Sequence, residues 1–140
     1  MGQLVEFAAH HPLLVAGLLA TGFAAVFYEL RLRGQGLSQV TAADAVRLIN
    51  KGALVVDVRK AEDFQAGHIV GARNVAFDRL GQDSELLNKK KKNRVVLTVC
   101  ESGPTSAKAA SVLRKAGYEA VFSLKSGLSG WRSENLPLVK

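Results

Sequence analysis

Cysteine, histidine and proline are scarce in this 140-residue chain, which has one, three and three of them. A lone Cys100 excludes an intrachain disulfide and any multi-cysteine zinc or iron-sulfur cluster. With two of the histidines adjacent at His10 and His11, no metal is called for, and no other cofactor is either. Lys and Arg are missing before Arg31, and all nineteen of them follow. Aromatic residues make up 6% and none interleaves the run Lys89 to Lys92, so stacked bases have no platform and nucleic acid is not an expected partner. There is no internal repeat, and the length is too short for two enzymatic domains. At 48% apolar and 22% charged, the composition is that of a globular chain rather than a disordered one.

The uneven charge points to two regions with different solvents. From Phe7 to Tyr28 there is no Asp, Glu, Lys or Arg, and after Pro12 the chain reads LLVAGLLATGFAAVFYEL. Those residues, as a helix rising about 1.5 Å each, span the ~30 Å hydrocarbon layer. Pro12 suits the first turn, where its missing N–H would have had no partner. A cleaved secretory signal needs a positive n-region, and residues 2 to 12 have none. The expectation is an uncleaved segment, residues 1–33, with one transmembrane helix over about 10–30, followed by a domain over 34–140. Arg31 and Arg33 just past the apolar stretch put the C-terminal domain on the cytoplasmic side, most simply of a bacterial inner membrane. Ala16, Ala20 and Ala24, like Gly17, Thr21 and Ala25, recur every four residues, spacing that lets two such helices pair as a homodimer.

Beyond a polar hinge at Gly34 to Gly36, Thr41 and Asp44 form a variant of the capping box, opening a helix through Asn50 that stops near Gly52. Short β-rich apolar runs at Leu54 to Val58, Val95 to Val99 and Ala120 to Leu124 read as buried strands. Helical patterns cover Asp78 to Asn88, Thr105 to Ala116 and Gly127 to Arg132. Alternating strands and helices predict an α/β domain, its sheet mostly parallel and covered on both faces. The basic run from Lys89 to Lys92 with Arg94 reads first as a solvated loop and second as a contact for the anionic leaflet of a lipid bilayer.

Chemistry concentrates in VVLTVC-ESGPTS-AKAASVLRKAG, where Cys100 ends a strand and a helix starts about five residues later. Ligands of open α/β sheets bind beyond the carboxyl ends of the strands, where this cysteine stands. Gly103 permits a tight loop, Pro104 fits a first helical turn, and Ser102, Thr105 and Ser106 are cap-type residues. Backbone N–H groups of residues 101 to 106 can converge on the sulfur, and the helix turns its positive end to the same place. Both effects favour an anion there. A buried, inert strand cysteine is the competing reading.

With these pieces in view, the chain resembles the rhodanese-like sulfurtransferase family from about Val40 to Pro137. The matching segments are DVR at Asp57 to Arg59, EDFQAGHIVGARNV from Glu62 to Val75, the six-residue loop from Cys100 to Thr105, and SGLSGWRSENLPL from Ser126 to Leu138. The resemblance implies a central parallel sheet flanked by helices, preceded here by the transmembrane helix. It also implies a nucleophilic Cys100 that takes sulfane sulfur from a small donor, such as thiosulfate or a persulfide, and hands it to a thiol or protein acceptor. Glu101, Ser102, Gly103, Thr105 and Ser106 would line the sulfur. Asp57, Arg59, Gly67, His68, Gly71 and Trp131 would be scaffold, with His68 structural rather than a general base. Without a second cysteine, a persulfide cannot resolve internally and needs an outside acceptor.

Many family members carry Arg one and five residues after the cysteine, where this chain has Glu101 and Thr105. A carboxylate there disfavours an anionic donor, so thiosulfate is expected to be poor and a persulfide preferred. Related phosphatase loops need one further residue and an Arg where Ser106 stands, which argues against phosphoryl chemistry. The alternative to an enzyme is a catalytically weak rhodanese-like binding module tethered to the membrane.

Overall fold

The computed structural model describes residues 1–36, 38–86, 88, 90 and 92–140, with residues 32–36 described as backbone only. The chain divides into two compact units, Met1–Gly36 and Leu37–Lys140. The first holds helices α1 (Gly2–His10) and α2 (Pro12–Gly36). The chain breaks between them at His11, whose N–H still reaches the Phe7 carbonyl at 3.0 Å, and Pro12 then opens α2 without wasting a donor. Twenty-five residues make α2 about 37 Å long. Its stretch Pro12–Arg31 is long and apolar enough to cross a membrane. None of that stretch is buried within the protein, so Leu13, Leu18, Phe23 and Phe27 stand bare on different sides of the helix. The expected hinge at Gly34 to Gly36 is not there, because helical backbone continues through Gly36. Glycines near a helix end cost little, and no proline stops it sooner.

The second unit is built on a five-stranded parallel sheet with order β1-β5-β4-β2-β3. Its strands are β1 (Gln39–Val40), β2 (Leu54–Asp57), β3 (Arg73–Asn74), β4 (Val96–Val99) and β5 (Val121–Leu124). The helices are α3 (Ala42–Asn50), α4 (Ala61–Ala66), α5 (Pro104–Lys115) and α6 (Gly127–Ser133). All of β4 is buried, as its unbroken VLTV run requires of a strand covered on both faces. Two apolar clusters flank the sheet. One gathers Val56, Val96, Leu80, Leu86 and Tyr118 under Ala109, Ala110 and Leu113 of α5. The other gathers Val55, Leu97, Val99 and Leu124 against Ala45 of α3 and Leu128 and Trp131 of α6.

The helix expected over Asp78 to Asn88 does not form. Residues Phe77–Arg79 make one 3-10 turn, and irregular turns follow. Side chains take over the backbone groups that a helix would have used. Asp83 accepts from the N–H groups of Glu85 and Leu86 and holds Arg73, while the Tyr118 hydroxyl donates to the Leu86 carbonyl at 2.6 Å. Gly81 in the middle weakens the helical alternative further. In the basic run, Lys89 and Lys91 lie outside the described residues. Lys92 is not a free cation for lipid, since its Nζ donates to the Ala116 carbonyl beyond α5.

Candidate active site

Parallel pairing brings the carboxyl ends of four strands to one edge, and each end delivers part of a site there. Past β2, Asp57 and Arg59 form a buried pair. The Arg59 Nε and Nη2 donate to the Asp57 carboxylate, Nη2 also donates to the Gly67 carbonyl at 2.7 Å, and the Arg59 backbone N–H returns to Asp57. Burial works against the Arg59 charge, but the hydrogen bonds and field of Asp57, with Glu101 adding to them, leave its pKa raised. Past β3, the Asn74 amide donates to the carbonyls of Asp57 and Arg59 and fixes the turn.

Past β4 comes Cys100, 4% exposed, with its sulfur at the head of α5. The Gly103 N–H donates to Sγ at 3.0 Å, from a backbone with φ of 115° that suits glycine. Ser106, fully buried in the first turn of α5, puts its hydroxyl 3.4 Å from Sγ while donating to the Gly103 carbonyl at 2.8 Å. In that arrangement the thiol donates to Ser106; a hydroxyl rotation would let Ser106 donate to a sulfur anion instead. Pro104 has no N–H, but those of Glu101, Ser102, Thr105 and Ser106 have no protein acceptor among the described residues. Gly103 and Ser106 thus contact the sulfur, while Ser102 and Thr105 are exposed at the rim of the loop.

Past β5, Ser126 and Gly127 clasp the loop from behind. The Leu128 and Ser129 N–H groups donate to the carbonyls of Cys100 and Glu101, both at 2.9 Å. A Cβ on Gly127 would come within 2.5 Å of both carbonyl oxygens, so the approach requires glycine.

An open cleft of about 1350 Å³ fronts the sulfur, with Cys100, Glu101, Ser102 and Thr105 on one side and Arg59, Asp63, Asn74, Phe77 and Arg79 among its other walls. Glu101 does not stand alone there. One of its oxygens meets Arg59 Nη1 at 3.4 Å and the other is paired to Arg132 in the last turn of α6. Neither guanidinium is near the loop in sequence: one arrives from beyond β2 and the other from α6. His68 is not among the cleft residues. It stacks on Phe64 at 3.8 Å, its Nδ1 lies 2.9 Å from the Phe64 carbonyl and so carries the proton, and its backbone bridges to Val139. Trp131 is buried and donates to the Pro137 carbonyl, anchoring α6. The described residues contain no cluster able to hold a metal.

The profile of the rhodanese-like domain family matches residues 41–134. The uncharacterized protein YibN of Escherichia coli is 36% identical over the whole of this chain and 99% of its own length. Thiosulfate sulfurtransferase GlpE of Tolumonas auensis is 35% identical over 56% of this chain and 71% of its own. Among solved structures, a rhodanese-related protein of Thermoplasma volcanium superposes with a TM-score of 0.64 at 26% identity, covering 72% of this chain and 96% of that one.

Proposed function

The chain belongs to the rhodanese-like domain family, and on that premise we propose that it is a sulfurtransferase working through a persulfide on Cys100, held at a membrane by α2. One observation carries the reading: the only thiol faces a large open cleft from the carboxyl edge of a parallel sheet, with the Gly103 N–H on its sulfur and the first turn of α5 behind it.

In the first step the Cys100 thiolate attacks the outer sulfur of the donor. A sulfur–sulfur bond forms to Cys100, the donor's own bond to that sulfur breaks (sulfur–sulfur in thiosulfate or a persulfide, carbon–sulfur in mercaptopyruvate), and its electron pair leaves on the departing group, sulfite in the case of thiosulfate. The N–H groups of Glu101, Ser102, Gly103, Thr105 and Ser106, with the Ser106 hydroxyl turned inward, hold the charged outer sulfur. In the second step an acceptor thiolate attacks that outer sulfur and takes it, and the electron pair of the broken bond restores the Cys100 thiolate. The open cleft leaves room for a protein or small-molecule persulfide as donor and a protein thiol as acceptor. Residues 1–33 serve as anchor and 34–140 as the sulfurtransferase domain, with Arg31 and Arg33 holding that domain on the cytoplasmic side of a bacterial inner membrane. The small-residue spacing of α2 supports a homodimer within the bilayer.

Intact-mass measurement after incubation with thiosulfate, cysteine persulfide or mercaptopyruvate tests the reading. It expects a gain of one sulfur that vanishes in Cys100→Ser and is released by cyanide or a thiol. Failure of every donor would instead support a tethered binding module, the reading favoured by Glu101 and Thr105 standing where many relatives have Arg.

A further inference from the structure

We propose that Arg59 and Arg132 form an anion subsite at the mouth of the Cys100 cleft, occupied in the resting protein by the Glu101 carboxylate, so that a donor with a sulfonate or carboxylate beside its sulfane sulfur binds by displacing Glu101. This rests on the sulfurtransferase reading for the donor but not for the anion. Asp57 and Gly67 use the Nε and Nη2 of Arg59 and lock the guanidinium, whose side chain is 7% exposed. That leaves Nη1 as the nitrogen turned to Glu101, so half of the subsite is rigid and permanently charged. The other half is looser. Arg132 is 47% exposed, and its one carboxylate partner among the described residues is Glu101.

The occupant is equally free to leave. The Glu101 side chain is 53% exposed, and among the described residues no hydrogen bond beyond the two guanidiniums holds it, whereas its backbone is fixed by the Ser129 N–H. The side chain can therefore swing out while the loop around Cys100 stays in place. A pair of guanidiniums converging on two carboxylate oxygens suits the oxygens of a sulfonate or carboxylate equally well. Glu101 then acts as a competitor for the subsite rather than as a bare repelling charge. Lys51 and Lys115 are exposed cations outside the cleft lining and serve as controls.

The test titrates thiosulfate into the full chain in detergent, in the Cys100→Ser background where no sulfur transfer occurs, by calorimetry. Adding Glu101→Gln is expected to tighten binding about three- to fivefold, the size of one partly exposed ion pair, with Glu101→Ala as a second variant. Arg132→Gln on top should remove the gain, while Lys51→Gln and Lys115→Gln should leave it. Unchanged affinity in both Glu101 variants, or a gain that survives Arg132→Gln, overturns the subsite. Absence of persulfide on wild-type Cys100 with every donor would remove the sulfurtransferase reading, and the titration would still decide the anion question.

Discussion

Gly127→Ala is the sharpest perturbation the geometry offers, because it adds one methyl group where the β5–α6 turn closes on the reactive loop. The new Cβ would lie 2.5 Å from the carbonyl oxygens of both Cys100 and Glu101, so loop and helix must part by about half an ångström or more. Two costs combine. A residue with a Cβ at φ of 56° costs about 1–2 kcal/mol, and weakening the two 2.9 Å bonds from Leu128 and Ser129 costs about 1 kcal/mol each. The expected loss is about 3–4 kcal/mol of domain stability. Gly52→Ala supplies the control, since Gly52 also has positive φ, at 90°, but nothing within 4 Å of its missing Cβ; it should lose only the strain, about 1–2 kcal/mol. Trp131, the single tryptophan and buried in α6, reports unfolding by fluorescence in urea titrations of the full chain in detergent. Persulfide formation on the folded variant should also slow by about tenfold or more, as a displaced nucleophile would. If Gly127→Ala matches Gly52→Ala in both stability and sulfur loading, the clasp does not position Cys100 and the reasoning fails.

Ser106→Ala removes the hydroxyl on Sγ and leaves the Gly103 carbonyl with the Ala107 N–H as its donor. It should cost about 1–2 kcal/mol in urea unfolding and shorten the lifetime of the Cys100 persulfide, whereas Ser102→Ala at the exposed rim should do neither. Burial pushes the Tyr118 phenol above its ordinary value of 10.0. Below that pH folded and unfolded chains both keep the proton; above it the unfolded chain loses its proton first, so stability falls as pH rises. Tyr118→Phe should lower stability by about 1 kcal/mol at pH 8, through the lost bond to Leu86, and flatten the decline between pH 10 and 11, measured by urea midpoints. Ala20→Arg puts a charge near the middle of the apolar stretch of α2, at a cost of about 2.5–3.5 kcal/mol for insertion. Carbonate extraction of membranes should then release the protein, and retention equal to wild type would remove α2 as the anchor.

Much of the architecture was legible because its signals are local. The three long strands lie within a residue of their apolar runs, Thr41 caps α3 through the Asp44 N–H, and Pro104 opens α5 where the loop spacing put it. What escaped depends on partners distant in sequence. The segment after Phe77 carries a helical pattern, but Asp83, itself held by Arg73, and Tyr118 satisfy its backbone in another way. Strands β1 and β3 are two residues each and exist only through pairing with β5 and β2. Within the site, Cys100, Gly103 and Ser106 could be read from one contiguous stretch, whereas the pairing of Glu101 needed Arg59 from forty-two positions upstream and Arg132 from thirty-one downstream.

The hold of α6 on the reactive loop has a consequence for how such a protein diversifies. Leu128 and Ser129 grip main-chain carbonyls and are indifferent to which side chains those residues bear. The identities at 101, 102 and 105 can thus be exchanged as a cassette while the sulfur keeps its address. Under the sulfurtransferase proposal, donor preference can drift, in evolution or at the bench, without renegotiating the fold.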